Sequence, residues 1–173
     1  QQSRQSVWEE FEDRGTNVKW FGAKGDGQTD DSQAFQQAHD YVASKGGGIV
    51  YIPSGHYRVS GVTFKPNIHF VGESVGSTII QSVEDTTIRF IFKLDNEVTT
   101  VEFGGFKNLT ILGDGGASDY QPDGTATVNG VDFRDTGEHW VQQFYIENCY
   151  YAFLNVAVRL HRHVRYVPVI NNR

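Results

Sequence analysis

Val18 to Gly61 reads VKWFGAKGDGQTDDSQAFQQAHDYVASKGGGIVYIPSGHYRVSG, and the fold turns on this stretch. Its middle is an amphipathic helix, because Ala34, Phe35, Ala38, Tyr41 and Val42 make one apolar stripe at helical spacing. Asp30 is placed to accept orphan N–H groups at the helix start, and Asp31 favours the positive end of the dipole. Gly46, Gly47 and Gly48 end the helix, since glycine tolerates a left-handed cap. Ahead of the helix, Gly25 and Gly27 permit a turn that a side chain would strain, and Asp26 can bond its own backbone there. A phosphate loop needs Lys-Ser/Thr after its last glycine, and GDGQT has none. Cation binding by Asp26, Asp30 and Asp31 lacks the twelve-residue spacing and closing Glu of a calcium loop.

Past the helix the period changes. GIVYIPSGHYRVSGVTF, NIHFVGE, STIIQS, TIRFIFKL, VTTVEF, FKNLTILGDGG, VNGVDFRD, WVQQFYIENC and VAVRLHRHVRYVPVI are short β-branched and aromatic runs, mostly separated by Gly, Asn, Asp, Ser or Pro. Two turns look alike: Gly72 in FVGE and Gly113 in ILGDG lie 41 residues apart, as in two turns of a solenoid with a repeat of about 20 residues. One helix followed only by strands argues against a doubly wound sheet, which needs a helix per crossover. A sandwich and a parallel β-helix both fit the periodicity.

The order of motifs narrows this. Phe21-Gly22-Ala23, Gly25-Asp26-Gly27, Thr29-Asp30-Asp31, a helix, Gly46-Gly47-Gly48, then Pro53-Ser54-Gly55-His56-Tyr57 resembles the opening of the pectate-lyase-like right-handed β-helix superfamily. Trp20 departs from the pattern, which more often has Asp there. The match is specific over about residues 18–82. The leader SVWEEFEDRGTNVKW (Ser6–Trp20) is similar to the neck of phage tailspikes. The resemblance implies a mainly β chain: a single-stranded right-handed parallel β-helix with an N-terminal capping helix. Residues 1–17 are then a neck, 18–48 a cap and 49–173 about six rungs, with a C-terminus left open by truncation or covered by a partner subunit. The motif Gly25, Asp26, Gly27, Asp30 and Asp31 is then architectural, closing an end whose strand edges and bore need a cover. The resemblance also implies a protein of the virion tail, or alternatively a secreted one. Such a protein is a homotrimer that contacts other tail proteins and recognises or degrades a bacterial surface polysaccharide as hydrolase or lyase. It needs no cofactor or metal.

Bulk properties agree. At 173 residues the chain can bury a core, and no run approaches a membrane span. Cys149 is alone, so neither a disulfide framework nor a zinc site is expected. The net charge of -6 is uneven: Arg159, Arg162, Arg165 and Arg173 stand without acids in residues 151–173, leaving 11 basic against 21 acidic residues before them. Such an acidic body does not suit nucleic acid. The basic tail reads either as an anion patch or as a solvated strand.

Candidate chemistry gathers in VNGVDFRDTGEHW. With Val131 and Phe133 inward, Asp132 and Arg134 face out, and Asp135, Glu138 and His139 follow in the turn. Asp132, Asp135 and Glu138 are the candidate catalytic acids, since rungs about 4.8 Å apart bring two outward carboxyls into range for glycoside hydrolysis. A solvated face is the plainer reading of the same residues. Trp140, Tyr120 and Arg134 are the candidate glycan contacts, with Glu102 and Glu147 as further outward acids. Tyr145, Tyr150 and Tyr151 line a groove or pack the core. Cys149 reads as a small buried hydrophobe, His39 and His56 as structural, and Asn108 and Asn148 as a polar ladder inside turns.

Overall fold

The computed structural model describes residues 15–83, 90–94, 100–113, 129–133, 140–152, 154, 156–160, 163–165 and 169–173. The chain opens with β1 (Thr16–Asn17), a short 3-10 turn (Val18–Phe21), β2 (Asp26–Asp30) and one helix, α1 (Ser32–Ser44). Strands then follow in threes. These are β3 (Gly48–Ile52), β4 (Gly55–Arg58) and β5 (Val62–Phe64); then β6 (Ile68–Gly72), β7 (Thr78–Gln81) and β8 (Phe90–Leu94). Next come β9 (Thr100–Lys107), β10 (Thr110–Leu112) and β11 (Asn129–Phe133); then β12 (Trp140–Glu147), β13 (Tyr150–Ala152) and β14 (Val156–Leu160). β15 (His163–Arg165) and β16 (Val169–Ile170) follow.

Pairing is parallel throughout these strands. The first sheet runs β1-β3-β6-β9-β12-β15, with β16 also on β12; the second runs β2-β4-β7-β10-β13; the third runs β5-β8-β11-β14. Each circuit visits the three sheets in turn, so every crossover repeats with one hand. This is the right-handed parallel β-helix, and a sandwich is excluded.

Inward positions stack in columns. Val50, Phe70, Phe106 and Ile146 are register partners in the first sheet, and each is essentially buried. Tyr57, Ile80 and Ile111 do the same in the second, and Val62, Phe92 and Val131 in the third. Phe64 sits among the rings of Phe70, Phe106, Phe133 and Phe144, with centroids 5.2–6.0 Å away. The bore is therefore an aromatic core, stabilised by apolar burial and offset ring contacts.

The circuits are not uniform, contrary to a repeat of about 20 residues. Register partners are 20 apart at Gly48 and Ile68, 36 apart at His69 and Gly105, and 40 apart at Gly105 and Tyr145. Long circuits consume chain, so the described residues make four three-strand circuits and begin a fifth, where the sequence suggested about six. Gly72 and Gly113 are not equivalents: Gly72 ends β6 in the first sheet, whereas Gly113 follows β10 in the second. Gly72 instead lies against the next turn, where an added Cβ would come within 2.6 Å of Leu109.

That turn holds the expected asparagine ladder. Asn108 and Asn148 both adopt left-handed backbone (φ 56° and 50°), and Asn148 Nδ2 donates to Asn108 Oδ1 at 2.9 Å. Asn171 repeats the conformation one circuit on (φ 53°). Asparagine tolerates this region, which most side chains avoid.

In the opening motif the aspartates bond nearby backbone. Asp26 accepts from Gln28 N, Thr29 N and Thr29 Oγ1 at 2.7–2.9 Å, and these bonds hold its carboxyl down at about 2. Asp30 accepts from Ser32 N at 2.9 Å, the first helical N–H. Asp31 is the N-cap residue of α1, and its buried carboxyl turns back into the loop, accepting from Lys24 N at 2.7 Å and Gly25 N at 3.0 Å and from no helix amide. Among the described residues no cluster of three or more metal-ligating side chains occurs.

The helix α1 lies between β2 of the second sheet and β3 of the first, where later circuits have a strand of the third sheet. Its side chains meet the edge of that sheet at β5. Ser32 Oγ accepts from Ser60 N at 2.9 Å, Gln36 Oε1 from Thr63 N at 2.8 Å, and His39 Nε2 from Lys65 N at 2.9 Å. Spacings of four and three put these on one helix face. Three side chains thus satisfy amides that an exposed edge would offer to another chain. His39 is fully buried and stacks on Phe70, which stacks on Phe106, so the aromatic column starts in the helix. Gln36→Leu keeps the bulk and removes the acceptor. It should cost about 1–3 kcal/mol in urea unfolding and accelerate exchange of the Thr63 amide. Unchanged exchange at Thr63 would count against the edge role.

Candidate functional site

The candidate acids divide. Val131 and Phe133 are buried, as the alternation required, and Asp132 lies between them in β11 with Lys93 and Arg159 as register partners. Trp140 opens β12 opposite Thr100 and His163, and Glu102 lies in β9 opposite Gln142. Tyr120, Arg134, Asp135 and Glu138 lie outside the described residues. Glu147 pairs with Lys107 at 3.1 Å on the exposed face of the first sheet. Cys149 is buried, with burial pushing its thiol up, as an inert core thiol should be. His56 joins Gln81 at 2.8 Å, a contact between neighbouring rungs. Tyr150 is exposed, while Tyr151 packs half-buried against the core.

Chemistry that the sequence did not single out appears on the outer face of the first sheet. Because Phe70, Phe106, Phe144 and Ile146 point inward, His69, Gly105 and Tyr145 point out, in one column of register partners. Gly105 leaves the middle of this column empty. The Tyr145 ring fills the gap and reaches across it, and a Cβ on Gly105 would come within 2.7 Å of that ring. It stacks on His69 (centroids 5.5 Å, 21° between planes), with His69 Nδ1 and the Tyr145 hydroxyl 3.1 Å apart. Lys107 and Glu147 stand two residues further along their strands.

Burial sets the protonation of the pair. It pushes Tyr145 up to about 12, with the Glu147 carboxylate and Cys149 adding to it, and it pushes His69 down. At neutral pH the site therefore holds a neutral imidazole against a protonated phenol, a base beside an acid. The folded protein refuses a proton on His69 that the unfolded chain accepts near its ordinary value. Stability should thus be full above about pH 7 and fall as pH drops below about 6.5 towards the folded value. His69→Phe should flatten the melting temperature between about pH 7 and pH 5. An unaltered slope would deny His69 this role. Tyr145 was legible as a possible groove residue. Its partner was not, because His69 is 76 positions away and the link depends on a glycine between them.

Residues 15–141 match the family model described as rhamnogalacturonase A/epimerase, pectate lyase-like. The chain belongs to that family. This pectate lyase-like chain is 40% identical over 137 residues to alginate lyase 7 of Azotobacter vinelandii, covering 70% of the chain and 16% of the lyase. The chain thus spans well under a fifth of that relative. The mannuronan C-5 epimerase AlgE4 A-module of the same organism superposes with TM-score 0.62 at 24% identity, over 88% of this chain and 41% of the module. The N-terminal fragment of bacteriophage phi29 gene product 12 superposes with TM-score 0.56 at 21% identity, over 84% of this chain and 30% of the fragment. The two superpositions share the fold. The relatives named for alginate and mannuronan act on polysaccharides.

Proposed function

We propose that this chain forms part of a protein that acts on an acidic bacterial surface polysaccharide, with the glycan against the outer face of the first sheet. The observation that carries it is the His69–Tyr145 pair folded over Gly105. When the imidazole proton sits on Nδ1 it donates to the Tyr145 oxygen. Nε2 is then free as a base and the phenol O–H free as an acid. In a uronate chain such a base takes the proton α to the carboxyl. The bond from C4 to the bridging oxygen breaks, and the acid protonates the departing oxygen, leaving a C4–C5 double bond. The 40% identity to a protein named as an alginate lyase supports this substrate class.

Hydrolysis by Asp132, Asp135 and Glu138, with Trp140, Tyr120 and Arg134 as glycan contacts, is the second reading, supported by the place of Asp132 in β11 between the buried Val131 and Phe133. The setting we propose is a phage tailspike: a homotrimer on the virion, in contact with other tail proteins, with residues 1–17 as its neck and 18–48 as its cap. The neck-like leader supports this. A secreted enzyme of the family is the other setting, and light scattering separates trimer from monomer.

Incubation with polymannuronate, polygalacturonate and capsular preparations tests the chemistry. Unsaturated uronate absorbance supports elimination. Reducing ends without that absorbance support the acidic cluster. Neither product across the panel overturns cleavage and leaves a binding module.

A further inference from the structure

Phe103 and Gln143 occupy matching places in β9 and β12, between the paired positions Glu102 with Gln142 and Gly104 with Phe144. Both adopt left-handed backbone at φ 51°. For a bulky aromatic residue this is an outlier, and such strain persists where surrounding structure or function demands it. A bend alone would be met better by glycine, which the chain places at 104 and 105 but not at 103. The Phe103 side chain is also conspicuous by its exposure. Phe35, Phe64, Phe70, Phe92, Phe106, Phe133 and Phe144 are buried, whereas Phe103 is 53% exposed. Gln143, on the neighbouring rung, is exposed as well. The two residues stand two positions before Gly105 and Tyr145 respectively, on the rim of the face that carries the His69–Tyr145 pair.

We propose that Phe103 and Gln143 form a ledge on which one pyranose ring of a polysaccharide stacks, beside the His69–Tyr145 pair. The apolar face of the sugar covers the Phe103 ring, and the Gln143 amide, with donors and acceptor, meets the sugar hydroxyls. The strained backbone holds the ring outward before ligand arrives, so little is spent on ordering it at binding. The occupant is a sugar rather than a protein surface because the ledge is one ring beside one amide and continues the face already assigned to glycan. This inference rests on that assignment.

Phe103→Asn tests it, since asparagine tolerates the left-handed backbone while removing the ring. Affinity electrophoresis in gels containing polymannuronate, polygalacturonate or a neutral glucan measures the retention. The expected result is a melting temperature equal to or above that of the parent, with Kd for the retaining glycan about five- to tenfold weaker. Gln143→Ala should weaken it less. Parent retention with equal retention of Phe103→Asn overturns the ledge while leaving the proposed function standing. A melting temperature that falls for Phe103→Asn with unchanged Kd assigns the residue to structure and also overturns it. Absence of parent retention in every gel overturns the ledge together with the function on which it rests.

Discussion

Phe64→Ala is expected to cost about 3–5 kcal/mol, the usual penalty for emptying a large aromatic site that cannot collapse. Phe64 is fully buried. Its ring touches the helix through His39 and three later circuits through Phe70, then Phe106 and Phe133, then Phe144. Removing it therefore loosens contacts between elements that the backbone ladders alone do not join. Phe64→Leu retains most of the volume and should cost less than about 1.5 kcal/mol. Urea unfolding reads both as shifts in midpoint at constant slope. A loss below about 1 kcal/mol for the alanine variant would mean that the bore tolerates the cavity and that the aromatic column is not what binds the circuits together.

The second large effect is on chemistry. Tyr145→Phe keeps the ring and the stack on His69 but removes the proton, and it should lower kcat for unsaturated-product formation about 10²- to 10⁴-fold. His69→Ala should do the same and leave the Tyr145 ring without its partner. Gly105→Val is the geometric control. An added Cβ would collide with the Tyr145 backbone carbonyl as well as with its ring, so the rungs must shift and stability should fall together with activity, although neither proposed proton carrier has changed. Full activity in Tyr145→Phe would remove the phenol from the mechanism and leave the acidic cluster as the site of cleavage.

What the sequence made legible was local. The glycine-and-aspartate turn, the single helix and its glycine stop, and the asparagine ladder each depend on residues close in the chain, or on a backbone conformation few residues adopt. Gly25, Asp26 and Asp30 behave as their types dictate. Asp31 stands at the helix start, but its bonds to Lys24 N and Gly25 N were illegible because they depend on how the loop folds back. Circuit length was illegible, because insertions between strands leave strand texture unchanged while altering the spacing from 20 to 36 and 40 residues. The outward pair was illegible for the same reason. Once a strand is known to be parallel and its inward residues are known, His69 and Tyr145 face out; only the register makes them neighbours across Gly105.

The helix-bound strand edge has a consequence for how the molecule is made. Ser32, Gln36 and His39 satisfy amides in and beside the first strand of the third sheet, and all of them precede the later circuits in the chain. A nascent chain can finish this end while the rest is still being translated, and each new circuit then has a seed to lay itself upon. Growth of the third sheet is directional: α1 side chains occupy its first edge, and each open rung recruits the segment that emerges next.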